Sequence, residues 1–165
     1  MDKTGQMLGE KAVDMIKYIW TDGTHEDFLK FYLITEDYYS SIVGGADRRK
    51  SFMPYNISES IHDVVIAYAD NEAIACAGLK KYSEQDAEVK RVWVEPAYRG
   101  KGLGTAIMEQ IEENAKEQGF GRTILQTREI MTEAVGLYKK FGYYQIPNYP
   151  PYDKLEGAVC FAKDL

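Results

Sequence analysis

The spacing of apolar positions changes character several times along the chain, and each change predicts an element. Val13 to Trp20 is apolar and β-rich at its end, which predicts a first strand. Asp22-Gly23 reads as a turn, and Thr24 as a helix cap with Asp27 three residues on. Phe28, Phe31, Tyr32, Thr35, Tyr38, Tyr39 and Ile42 recur at helical spacing until Gly44-Gly45. A loop carrying Arg48-Arg49-Lys50 follows, then a short helix near Ser58 to His62. Val64–Ala69, Ala73–Tyr82 and Ala87–Val94 are strand-like runs separated by polar turns, an antiparallel meander.

The second half reads differently. A glycine-rich loop, Glu95 to Gly104, leads into a helix over Thr105–Gln118, whose Leu103, Ile107, Ile111 and Ala115 form one stripe. Thr123–Thr127 is a strand and Glu133–Phe141 a second helix, closed by Gly142. Tyr143–Ile146 and Val159–Lys163 are two last strands around a Pro- and Tyr-rich loop, Pro147 to Glu156. The expected fold is α/β: a mixed central sheet of about seven strands with helices on both faces.

Length and composition narrow the class. With 165 residues and no linker-like stretch, the expectation is a single domain over residues 1–165. A content of 45% hydrophobic and 28% charged residues is that of a soluble globular chain, and no run approaches the ~18 apolar residues of a membrane span. The net charge of −6 speaks against gripping nucleic acid and slightly for a cationic partner. Only two cysteines are present, Cys76 and Cys160, far apart in sequence, so neither a disulfide scaffold nor a metal site is expected. Met1 to Gly5 lacks the apolar core of a signal peptide, which makes a reducing cytoplasm the expected location. Of 13 tyrosines, five (Tyr138, Tyr143, Tyr144, Tyr149, Tyr152) stand after position 137.

The chemistry concentrates in Val92-Trp93-Val94-Glu95-Pro96-Ala97-Tyr98-Arg99-Gly100-Lys101-Gly102-Leu103-Gly104-Thr105. Strand, three-glycine loop and helix start together make an anion cradle. Glycine allows φ > 0, successive N–H groups turn inward, and the helix N-terminus adds partial positive charge. Arg99 and Lys101 add full charges, so a phosphate or pyrophosphate is the expected cargo. A Walker A loop requires Gly-Lys-Ser/Thr, and Gly104 is followed by Thr105. The Rossmann fingerprint requires a third glycine where Thr105 stands.

Arg99-x-x-Gly102-x-Gly104 directly after a strand resembles the Arg/Gln-x-x-Gly-x-Gly/Ala signature of the GCN5-related N-acetyltransferases, the GNAT superfamily. Leu137-Tyr138-Lys139-Lys140-Phe141-Gly142-Tyr143 is similar to the family's Leu-Tyr pair before Phe-Gly-aromatic. The resemblance extends over about Val13 to Lys163 and is nearest a bacterial subgroup that carries patterns like Glu88-Val89-Lys90-Arg91, Asn148-Tyr149-Pro150-Pro151-Tyr152 and Cys160-Phe161-Ala162-Lys163. It implies a GNAT fold and an enzyme using acetyl-CoA without a metal. The cofactor arm would pair with the main chain at Trp93 and Val94, between two splayed parallel strands. The pyrophosphate would sit on Arg99, Gly100, Lys101, Gly102, Leu103, Gly104 and Thr105.

The resemblance also implies roles. A free alkyl amine has a pKa near 10.4 and must lose a proton before it attacks. Glu88, eleven residues before Arg99, matches the base of histone acetyltransferases in this superfamily. By a period of two it is expected to share a face with Lys90, Val92 and Val94. Tyr138 matches the family's general acid. Gln126, Tyr149 and Tyr152 are candidates for the acceptor pocket, and the acceptor expected is a small, cationic primary amine. This chain departs from many relatives in carrying Thr132-Glu133 where an Asn stands, and Leu125-Gln126-Thr127-Arg128 where Leu-Glu-Thr-Gly is common.

Plainer readings stand beside these. Tyr138 also reads as a core aromatic, Glu88 as half of an ion pair with Lys90 or Lys81, and Tyr149 and Tyr152 as cover for a sheet edge. The cysteines read as small core residues. A non-catalytic acyl-CoA sensor is the rival function on the same fold, and a homodimer through the last strands fits either.

Overall fold

The computed structural model describes residues 15–42 and 58–165. Seven strands form one sheet: β1 (Lys17–Thr21), β2 (Asp63–Ala69), β3 (Glu72–Lys81), β4 (Asp86–Val94), β5 (Arg122–Arg128), β6 (Tyr144–Ile146) and β7 (Ala158–Asp164). Their order is β1-β2-β3-β4-β5-β7-β6. All neighbours run antiparallel except β4 and β5. The helices are α1 (Glu26–Ile42), α2 (Leu103–Glu117) and α3 (Thr132–Lys140), with 3-10 turns at Ser58–Ser60, Pro96–Tyr98 and Tyr152–Lys154. The first part of the expected strand, Gly44-Gly45 and Arg48–Lys50 lie outside the described residues. No described helix is long and apolar enough to cross a membrane.

The sheet is buried on both faces, which is why β2 and β3 are almost continuously apolar. Val64 and Ile66 of β2 join Phe28 and Phe31 of α1, Cys76 and Trp93 in one cluster. Val65 and Ala67, pointing the other way, join the α2 stripe and Tyr138 of α3. That stripe is the expected Leu103, Ile107, Ile111 and Ala115, with Met108 added. Each fully buried isoleucine there contributes about 2 kcal/mol relative to exposure. A third cluster, Ile124, Tyr149, Tyr152, Cys160 and Ala162, packs the Pro147–Glu156 loop against β5 and β7.

Two local expectations are corrected. The N-terminal cap of α1 is His25 rather than Thr24. The His25 Nδ1 accepts from the Asp27 N–H at 3.1 Å, and its carbonyl accepts the first helical bond, from Leu29. Thr24 instead donates its N–H to Asp22 Oδ1 at 2.8 Å, which closes the preceding turn. The two-residue period of β4 also breaks. Gly78 faces Lys90 but Cys76 faces Trp93, so β4 carries one extra residue, and Arg91 there has φ 54°. Glu88 and Lys90 therefore share a face with Arg91 and Trp93, while Val92 and Val94 pack with the α2 cluster.

Candidate active site

The one parallel pair in the sheet is short. β4 and β5 are in register only through Asp86–Arg122, Ala87–Thr123 and Glu88–Ile124. Beyond Glu88 they part, so among the described residues no strand pairs with Val89 to Val94 on the β5 side. The bulge at Arg91 lies within that length and is locked from the α1 side. Arg91 Nη1 donates to Thr35 Oγ1 at 2.9 Å, Nη2 pairs with Glu36, and the guanidinium lies 4.2 Å over the Tyr32 ring.

The glycine-rich loop closes one end of this opening. Pro96–Tyr98 makes a 3-10 turn, Arg99 returns to extended backbone, and Gly100 and Gly102 adopt φ 77° and 84°. These values exclude most side chains, and Cβ atoms there would point into open space. α2 begins at Leu103 with no side-chain cap, and its first internal bond is from Ala106 N–H to the Gly102 carbonyl. The N–H groups of Leu103, Gly104 and Thr105 thus precede the helical ladder. Gly104 has helical geometry and would tolerate a Cβ, at 3.7 Å from Leu137 and 3.9 Å from Val94. Arg99 folds back on the strand end: its Nε donates to the Val94 carbonyl at 2.8 Å, and its guanidinium stacks 4.6 Å over Trp93. Lys101 Nζ lies 5.7 Å over the Tyr98 ring. The Trp93 indole donates to Glu95 Oε2 at 2.9 Å.

On the other face, Glu88 is 6% exposed. Its Oε2 accepts from the Tyr149 hydroxyl at 2.8 Å, and its Oε1 lies 3.6 Å from Lys90 Nζ. Lys90 in turn donates to the Tyr152 hydroxyl at 2.8 Å. Burial pushes the Lys90 ammonium below its ordinary pKa, against the pull of Glu88. Burial, with the Glu88 charge beside it, pushes the Tyr149 phenol far up, so it stays a donor at neutral pH. The loop bearing both tyrosines is tied down by Tyr82, which donates to the Pro150 carbonyl at 2.6 Å and packs edge-on against Tyr149.

A cavity of about 110 Å³ joins the two faces where β4 and β5 part. Glu88, Lys90, Gln126, Tyr138 and Tyr152 all line it. Tyr138 comes from α3 and packs edge-on against Tyr143, ring centres 5.9 Å apart. The Gln126 amide donates to the Thr127 carbonyl at 2.7 Å. Thus Glu88, Tyr138, Gln126 and Tyr152 meet in one cavity, Tyr149 reaches it through Glu88, and the Arg99–Thr105 loop lies beyond Val94. The motifs had left out Lys90 and Arg128 as site residues, although both line the cavity. The signal was the two-residue period, which sets Lys90 with Glu88 and Arg128 with Gln126. Among the described residues no group of three or more His, Cys, Asp or Glu is placed to hold a metal.

Residues 17–143 match the model of the acetyltransferase (GNAT) family. The chain belongs to that family. Its seven-stranded mixed sheet is the GNAT fold. It superposes on a GNAT family acetyltransferase from Elizabethkingia anophelis, solved with acetyl-CoA bound, with a TM-score of 0.67 at 19% identity over 92% of this chain and 99% of that one. At that identity the likeness is one of fold. Among curated GNAT relatives, the uncharacterized N-acetyltransferase YjgM of Escherichia coli is 32% identical over 92 residues, 54% of this chain and 55% of its own length. The protein named "Probable N-acetyltransferase 14" of Xenopus tropicalis is 34% identical over 80 residues, 48% of this chain and 39% of its own. The chain thus spans about half the length, or less, of these curated relatives.

Proposed function

We propose that this protein is an acetyl-CoA-dependent N-acyltransferase that acylates a small primary amine in a ternary complex. The observation that carries the reading is the parting of β4 and β5 just past Glu88, which opens a cavity lined by Glu88 and by a tyrosine on α3, with an uncapped helix start beyond Val94. The donor set fits a pyrophosphate-bearing thioester: main-chain N–H groups with no side-chain cap and two glycines whose conformation holds them open. Bound acetyl-CoA supplies the activated acetyl thioester.

In this reading the N–H groups from Gly100 to Thr105 hold the pyrophosphate, with Lys101 beside it. The side of β4 turned away from β3 at Trp93 and Val94, where Arg99 already takes the Val94 carbonyl, pairs with the pantetheine arm through its other main-chain groups as an added strand would. Arg99 is a brace that holds the strand end against the loop. Glu88 takes a proton from the incoming ammonium, directly or through water. The amine nitrogen then bonds to the thioester carbonyl carbon and the C–S bond breaks. Tyr138 delivers its hydroxyl proton to the departing thiolate, and the second proton that the acylated nitrogen sheds returns to the Tyr138 oxygen, directly or through water. Gln126, Tyr149 and Tyr152 form the acceptor wall, and Tyr149 also holds the Glu88 carboxylate in place.

The test is calorimetric titration of the purified protein with acetyl-CoA, followed by thiol release against a panel of amines. One-to-one binding with release for one class of amine is expected. Absence of binding overturns the reading. Binding without release for any amine favours a sensor built on the same fold.

A further inference from the structure

We propose that Arg91 is a positioning residue: its guanidinium, anchored on α1, holds the left-handed backbone that aims the last residues of β4 at acetyl-CoA. This inference rests on the acyltransferase reading and adds to it a residue to which that reading gives no role. Among the described non-glycine residues, Asp70, Asn71 and Arg91 have positive φ. Asp70 and Asn71 form the turn between β2 and β3, where their residue types are at home. Arg91 lies inside a strand, at φ 54°. A glycine would adopt that backbone freely, whereas a residue with a Cβ meets steric resistance. The Arg91 side chain is also 2% exposed, and a buried guanidinium is costly unless partners replace its water. α1 supplies such partners in Thr35, Glu36 and the Tyr32 ring. Thr35 is itself buried, and its hydroxyl donates to the Tyr32 carbonyl at 2.9 Å, which aims its oxygen lone pairs at Arg91. From the β3 side, the Cys76 thiol donates to the Arg91 carbonyl at 3.5 Å. Side chain and main chain of this one residue are thus held from two elements.

The bulge stands between the two halves of the site. Before it, Glu88 and Lys90 line the cavity, as Arg91 itself does. After it, Trp93 stacks with Arg99, and the Val94 carbonyl accepts from Arg99 Nε. The extra residue at the bulge is what turns Trp93 toward Phe28 and Phe31 of α1 and Val94 toward the α2 cluster. A strand straightened at Arg91 would exchange those faces, since side chains alternate along it. The end of β4 would then shift against the glycine-rich loop that Arg99 ties to it. Through one side chain, α1 sets the frame in which the strand edge and the loop are both presented to the cofactor.

The experiment measures the acetyl-CoA Kd by calorimetry and Tm by circular dichroism for the wild type, Arg91→Ala and Arg91→Gly. Both variants lose the anchor on α1, so Tm is expected to fall in both. Only glycine takes the left-handed backbone without an anchor. The Kd should therefore rise about fivefold or more in Arg91→Ala, and Arg91→Gly should bind about threefold or more tighter than Arg91→Ala. A Kd for Arg91→Ala within about twofold of wild type, or equal Kd values for the two variants, overturns the inference and leaves the acyltransferase reading standing. Thr35→Val removes one acceptor of the guanidinium. It should weaken binding about threefold in the wild-type background and clearly less in Arg91→Gly, where no guanidinium remains. Equal losses in both backgrounds overturn the role of the anchor. This second comparison does not use Arg91→Ala, so it decides the matter even where that variant fails to fold. Failure of the wild-type protein to bind acetyl-CoA removes both readings together.

Discussion

Replacing Lys90 with methionine tests whether the Glu88–Lys90 pair is the electrostatic unit the geometry describes. Both side chains are about nine-tenths or more buried, and their charged atoms are 3.6 Å apart. At an effective dielectric near 20 that separation corresponds to about 4–5 kcal/mol of attraction, within the range seen when one partner of a buried pair is removed. The loss has a ceiling, because the stranded carboxylate can take up a proton. An unfolded glutamate ionises near pH 4.3, so protonating it costs about 3.7 kcal/mol at pH 7 and about 1 kcal/mol at pH 5. The lost hydrogen bond to Tyr152 adds about 1 kcal/mol at either pH. The destabilisation of Lys90→Met should therefore shrink by about 2–3 kcal/mol between pH 7 and pH 5. At 2–4 °C per kcal/mol for a chain of this size, that is roughly 4–12 °C in Tm. Thermal unfolding by circular dichroism of wild type and variant at both pH values, at one ionic strength, gives the answer. Adding Glu88→Gln should remove most of the pH-7 penalty. A variant as stable as wild type at pH 7, or a penalty independent of pH, refutes the reasoning.

Further outcomes are expected on the same physical grounds. Tyr138→Phe should lower kcat by about 10- to 100-fold while the acetyl-CoA Kd, read by calorimetry, moves less than threefold; an unchanged kcat would remove Tyr138 as the proton donor. Gly102→Ala forces a Cβ onto φ 84° and should cost about 1 kcal/mol, or about 2–4 °C in Tm, with weaker acetyl-CoA binding. Gly104→Ala, in helical geometry with room for a methyl group, should instead raise Tm by about 1–4 °C; a fall would show that the site is tighter than its 3.7 Å approach to Leu137. Burial pushes the Cys160 thiol up to about 11, and Cys76 is pushed higher still. At pH 8 both are then protonated as well as buried, so an aromatic disulfide reagent should label neither until the protein is unfolded. Rapid labelling of the native protein would contradict the packing of β3 and β7.

The features legible along the chain are those set by neighbours in sequence. A left-handed backbone at Gly100 and Gly102 is written in the residue type, because other residues pay a steric penalty there. The α2 stripe and the number of strands follow from side-chain periods alone. The bulge at Arg91 was not legible. An alternating pattern looks the same until the partner strand reveals one extra residue, and only then do Val92 and Val94 change face. His25 as the cap of α1 was hidden for a similar reason, since Thr24 is the better capping residue and is spent on the Asp22 turn.

The Glu88 side of the opening shows the same division more sharply. Glu88 and Tyr149 are 61 positions apart, and Lys90 and Tyr152 are 62 apart. No spacing rule links such pairs; they meet because the C-terminal loop folds over β5 and β7 and is held by Tyr82. By itself the sequence determined the glycine-rich loop, the tyrosine on α3 and the order of elements, since each depends on contacts within a few residues. The tertiary structure alone decided where β4 and β5 part and which of the described side chains face the opening. Those depend on register and packing between distant segments, which local propensity does not encode.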